Sequence, residues 1–208
     1  MRFFLLFGPL LLAACTELKT PPPPPPPLEL VGQVSAEPLL AIINAAAMDF
    51  DRAGAGLAGR PAATALAVAR LEWIGGEFQP GRRLARLPES LNFGIQGAVA
   101  EARDVLGIRA DAPPAAPIAA LLAGARALGR GDTAAAQLAM SGPLFLTAGR
   151  PMLSRLREPG ALPNAALVTA ALRDELGRSS AEGLDRLMIV EPQSFGFSTT
   201  GLSGAPDR

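Results

Sequence analysis

Histidine and tyrosine are absent from this 208-residue chain, and cysteine, tryptophan and lysine occur once each, as Cys15, Trp73 and Lys19. Without histidine, neither a Ser–His–Asp nor a Cys–His arrangement can be built. Lys19 lies in a proline-rich stretch, which removes a Ser–Lys pair, and no G-x-S-x-G elbow is present. Metal coordination is reduced to carboxylate oxygens, and no D-x-[DN]-x-[DN]-G calcium loop occurs, so no metal and no cofactor is expected. Charge of one sign is also missing. Lys+Arg and Asp+Glu number 19 each, and a nucleic-acid partner would call for a basic excess.

What remains can build a core. Apolar residues make up 49% of the chain and its mean hydropathy is +0.27, too apolar for a disordered polypeptide. Glycine (22) and proline (21) cut that apolar material into short pieces. The length fits one domain. Basic residues are arginine almost throughout, and alanine is abundant; both biases reflect genome composition and say nothing of function.

The N-terminus carries the sharpest signal. Met1-Arg2 gives a charged start, and Phe3 to Leu12 is an apolar run broken only by Gly8 and Pro9. Ten helical residues span about 15 Å, half the hydrocarbon core, so this is no transmembrane helix. A basic start, a short apolar middle and small residues before a cut site describe a secretory signal peptide. Leu12-Ala13-Ala14-Cys15 resembles the lipobox of bacterial lipoproteins. The resemblance covers residues 1–15. It implies that Cys15 receives a diacylglyceryl group, that cleavage precedes it, and that two or more acyl chains give stable anchoring. Thr16, where an Asp would signal inner-membrane retention, implies the periplasmic side of the outer membrane rather than the inner. The Ala/Arg-rich body resembles lipoproteins of high-GC Gram-negative bacteria, and that likeness brings no activity with it.

Four regions follow: a signal peptide over 1–14, the lipidated Cys and a Pro-rich tether over 15–34, a helical domain over 35–190, and a flexible tail over 191–208. Pro21 to Pro27 are seven consecutive prolines, which form a polyproline II rod of about 22 Å at about 3.1 Å per residue. The simplest use is a stiff spacer; the alternative is a docking site for a proline-recognition module. From Ser35 to Met188 apolar residues recur at helical spacing between Gly and Pro breaks. Pro38 and Pro61 open helices, Gly75-Gly76 stops one, Gly107 is a C-cap, Asp132 is an N-cap, and Gly177 closes a helix before a Ser179/Glu182 capping box. Strand patterning is poor, with Leu187–Val190 the only candidate. The expected fold is all-α, an irregular bundle of six to eight short helices after the polyproline tether.

Candidate sites are few. Gly54 to Gly59 matches G-x-G-x-x-G, but a helical pattern precedes it where a dinucleotide site needs a strand, so it reads as an inter-helix turn. The R-D-x-L-G sequences ending at Gly107 and Gly177 read as two similar helix ends, and one tetratricopeptide-like turn over 122–138 lacks a repeat. Carboxylate pairs are the only catalytic set left, as in glycoside cleavage. Asp49 and Asp51 point about 200° apart on a helix; Glu72 beside Trp73 and Glu77 beside Phe78 fit ordinary surface positions equally well. Arg82, Arg83 and Arg86 form the densest charge cluster, a possible contact for an anionic surface, each charge worth about 1 kcal/mol near a membrane. Leu66, Trp73, Ile95 and Val99 are candidates for an apolar groove. The expected role is a lipid-anchored, non-enzymatic envelope module binding another envelope protein. The alternatives are a carrier or chaperone for an apolar or lipid ligand, and a carboxylate-only hydrolase.

Overall fold

The computed structural model describes residues 24–32, 35–146 and 149–188, with side chains as far as residue 180. The lipobox with Cys15 and residues 189–208, which hold the expected tail, lie outside the described residues. Within them the chain is all-α, as its patterning predicts. Nine helical segments occur and no strand, with one isolated antiparallel bridge between Ile108 and Phe145. In order they are α1 (Leu28–Val31), α2 (Pro38–Asp49), α3 (Asp51–Gly54), α4 (Pro61–Glu77), α5 (Glu89–Leu106), α6 (Ala115–Gly129), α7 (Thr133–Ala139), α8 (Met152–Arg157) and α9 (Pro163–Met188).

Helix α4 is the centre. Pro61 opens it at the first position, where the missing N–H costs nothing. From Thr64 to Phe78 it is buried almost without interruption, packed against α2, α5, α6 and α8. A helix apolar all round belongs in a core. Helices α2, α5, α6 and α8 pack on it, and α9 packs on α2 and α5: Ile42, Ile43 and Phe50 around α2, Ile95 and Leu106 from α5, Leu121 from α6, Leu156 from α8 and Leu172 from α9 are all fully or almost fully buried. Each such side chain contributes about 1.5–3 kcal/mol.

Small residues let the helices close on one another. A Cβ at Gly75 of α4 would stand 3.0 Å from Val99 Cγ2 of α5, and one at Gly94 of α5 would stand 3.0 Å from Val168 Cγ2 of α9. The expected stop at Gly75-Gly76 is therefore a continuous stretch of helix, kept open for a neighbour. Gly177 likewise does not close its helix. It faces solvent with nothing within 4 Å, so α9 runs through it to Met188 and no new cap forms at Ser179. One exposed glycine costs a helix only about 1 kcal/mol.

Two ends match their sequence signals. Gly107 ends α5 at φ 69°; the Gly107 N–H donates to Asp104 O and the Ile108 N–H to Arg103 O. Those two bonds make the Schellman closure. The Asp132 carboxylate accepts from Ala135 N at 2.9 Å and caps α7.

Between α2 and α4 the chain makes a left-handed turn. Arg52 and Ala53 have φ of 49° and 56°, and Gly54 follows at 76°. Two non-glycine residues there cost about 1–2 kcal/mol each. The α8–α9 connection holds the turn in place: Leu162 N donates to Ala53 O, and Gly59 N donates to Arg157 O.

The stretch expected to be a tether ends as part of the body. Leu30 is fully buried, and the buried Arg70 donates from Nε to Leu30 O at 2.9 Å. Pro24 O accepts from Arg83 Nη2 at 2.7 Å. Residues 24–32 are thus docked, because apolar Leu30 and Val31 have a core to join that a purely proline spacer would not.

Candidate functional site

Three charged residues of α4 are buried, and each is tied to a different element. Arg70 donates from Nη1 to Asp49 Oδ2 of α2 at 2.6 Å. Glu72 takes both Nε and Nη2 of Arg103 on α5, at 2.6 and 2.7 Å. Glu77 accepts from Arg83 Nη1, on the loop after α4, at 2.8 Å. Successive positions on a helix turn by about 100°, so Glu72 points about 200° away from Arg70, whereas Arg70 and Glu77, two turns apart, lie on one face at different heights. Charges this deep must be paired to be tolerated.

The Glu72–Arg103 pair is the deepest, with side chains 1% and 9% exposed. Arg103 also donates from Nη1 to Ala110 O at 2.8 Å, which fixes the loop after α5. The hydrogen bonds that Arg103 donates to Glu72 raise the Arg103 pKa above its ordinary value, so the guanidinium stays charged. At Asp49 burial raises the carboxyl pKa, opposed by the charge and hydrogen bond of Arg70.

Two regions have the concavity a ligand needs. The first is a cleft of about 420 Å³ between α4, α5 and the loop after α5. Glu72 and Arg103 form part of its wall, with Gly75, Gln79, Gln96 and Val99. Gln96 Nε2 donates to Gly75 O, so its amide is engaged as well. The second lies at Trp73, where two apolar hollows of about 460 and 490 Å³ flank the docked prolines. Trp73 and Pro25 line both. The first hollow adds Ile118 and Leu122 of α6; the second adds Leu39 and Leu40 of α2 and Leu176 of α9. The Arg83 guanidinium stands over the Trp73 ring, 5.8 Å from its centroid.

The residues singled out in the sequence are not all brought together. Of the groove candidates, Ile95 is fully buried in the core and Leu66 packs against it. Val99 lines the cleft and Trp73 the hollows, so the four share no groove. The reason is geometric: Val99 meets Gly75, about 200° around α4 from Trp73. Of the basic cluster, Arg82 and Arg86 are exposed, whereas Arg83 is turned inward onto Glu77, Trp73 and Pro24 O. Glu72 and Glu77 are buried, not at surface positions. Asp51 is exposed and paired with Arg52.

Arg70 and Arg103 were not singled out in the sequence. The signal was there: an arginine and two glutamates inside the apolar run of α4 must find partners if that helix is central. No group of three or more His, Cys, Asp or Glu side chains among the described residues is placed to hold a metal ion. No helix among them is long and apolar enough to cross a membrane. Comparison with protein-family models, curated proteins and solved structures gives no match.

Proposed function

We propose that the protein is a lipid-anchored, non-enzymatic helical module on the periplasmic side of a bacterial membrane, the outer more than the inner, that binds another envelope protein. The observation that carries the reading is the state of the carboxylates once considered for catalysis. Glu72 and Glu77 are buried and Asp49 half-buried, all three ion-paired with arginine, and Asp51 is exposed beside Arg52, outside the cleft and both hollows, which supports a structural role for these carboxylates. Of the two regions described above, the Trp73 face is the more apolar. Arg82 and Arg86, exposed on the loop after α4, are the members of the basic cluster open to anionic headgroups. The anchor rests on the lipobox, with Cys15 as the attachment site.

Intact mass of the product purified from a Gram-negative host tests the anchor. The expected mass is that of the chain from Cys15 plus a diacylglyceryl group and a further acyl chain, and Cys15→Ser removes that addition. An unmodified chain beginning at Cys15 or Thr16 would contradict the reading. A second reading, a carrier for an apolar or lipid ligand, is favoured by the two hollows at Trp73. Its mark is a fatty acid that shifts the emission of Trp73, the only tryptophan.

A further inference from the structure

The Trp73 face already holds an extended proline segment. Pro27 has φ −53° and ψ 134°, in the polyproline II region. Pro24 to Pro27 share the walls of the two hollows with Trp73, and Pro25 lines both. A polyproline II strand has no internal hydrogen bonds, so its carbonyls stand out as acceptors and its rings offer a flat apolar surface. A surface that reads it supplies an aromatic face and a donor aimed at a carbonyl. Trp73 is that face, and Arg83 is that donor, bound to Pro24 O at 2.7 Å and held in place from behind by Glu77.

We infer that the Trp73–Arg83 face is a polyproline II recognition site, occupied in cis by Pro24–Pro27, whose ligand in trans is an extended proline-rich segment of a partner protein. This names the partner class for the binding role proposed above. Three observations carry it. The space is larger than its occupant, since hollows of about 460 and 490 Å³ remain beside Pro25. The two attachments of the segment are unequal: Leu30 is fully buried and bonded to buried Arg70, while the Arg83–Pro24 contact lies at the surface. The prolines can therefore leave the face while Leu30 stays, without unfolding the body. The charges around the hollows also nearly balance, Arg82 and Arg83 against Glu29, Glu37 and Glu77, which suits an uncharged ligand.

A cis segment competes at an effective concentration in the millimolar range, so the native chain should bind a free oligoproline peptide weakly. The test uses the full chain with Pro25→Gly and Pro26→Gly together, and Trp73 emission as the readout. Those positions are exposed or half-buried, so helicity should be unchanged. The expected result is a red shift of Trp73 emission in the variant, reversed by a synthetic oligoproline peptide. The peptide should bind the variant at least about tenfold more tightly than the native chain. Adding Arg83→Ala should abolish the reversal. No red shift in the glycine variant would overturn the proposal. So would a red shift that oligoproline fails to reverse, or one that a glycine–serine peptide or a fatty acid reverses equally well. Each readout is independent of lipidation, so the anchor and the recognition site can fail separately.

Discussion

Two glutamates of α4 take arginine partners from outside the helix, and the two pairs do different things. Glu72–Arg103 is closed: both side chains are buried, both carboxylate oxygens are taken, and the remaining donor goes to a loop carbonyl. Glu77–Arg83 is half open. Glu77 is as deeply placed, but Arg83 is 24% exposed and reaches past its partner to Trp73 and Pro24. A closed pair fixes packing, because any lost partner leaves a buried charge behind. A half-open pair presents an oriented donor at the surface. The cleft beside Glu72 is therefore part of the scaffold, and the face beside Arg83 is where something can bind.

The comparison can be broken most severely at Glu72. Glu72→Ala should cost about 3–5 kcal/mol, read as a lower urea midpoint, because the Arg103 guanidinium is left buried without its counter-ion. Replacing both Glu72 and Arg103 by Met should restore most of that loss; a double variant as unstable as the single would show that the pair does more than neutralise itself. Gly107→Ala comes next, at about 1–2 kcal/mol, since φ there is 69° and the Arg103 carbonyl is part of the closure. The added Cβ would also press within 2.6 Å of Arg155 Nη1, which must move.

Arg83→Ala should be milder than Glu72→Ala, about 1–2 kcal/mol, because buried Glu77 loses its counter-ion but keeps the backbone N–H of residue 83 and gains access to water; the larger effect is a red shift of Trp73 emission as the prolines loosen. Stability lost without any change in emission would mean that Arg83 serves the core alone.

The smallest effect belongs to the third pair. The Asp49 pKa is raised in the folded protein, so burial of its charge weighs on stability above the folded pKa and that weight lifts as pH falls through it. Asp49→Asn keeps an acceptor for Arg70 and should stay within about 1 kcal/mol of the parent at neutral pH. The stability difference should move in the variant's favour as pH rises from the acidic range toward 7, and the opposite slope in paired urea titrations would reverse the assignment.

The sequence made the all-α class and several helix ends legible because their signals are local. Gly107 needs a left-handed backbone and Asp132 needs only the next turn's N–H. What stayed hidden depends on partners far along the chain. Gly75 looks like a helix breaker until Val99 is set against it, and Glu72 looks like surface until α4 is known to be enclosed. A helix buried all round has no polar face to mark its inside, so the pattern alone assigns Trp73 and Val99 to one groove. Leu30 reads as tether because prolines 21–27 precede it, although an apolar pair beside them is what a docking segment needs.

Double-mutant cycles on the two pairs test the contrast most directly, with urea unfolding followed by far-ultraviolet circular dichroism so that Trp73 does not bias the result. The predicted coupling is about 2–3 kcal/mol for Glu72 with Arg103 and smaller, about 1 kcal/mol, for Glu77 with Arg83, whose guanidinium is partly solvated. Equal couplings, or the reverse order, would contradict the division of α4 into a closed scaffold side and an open binding side.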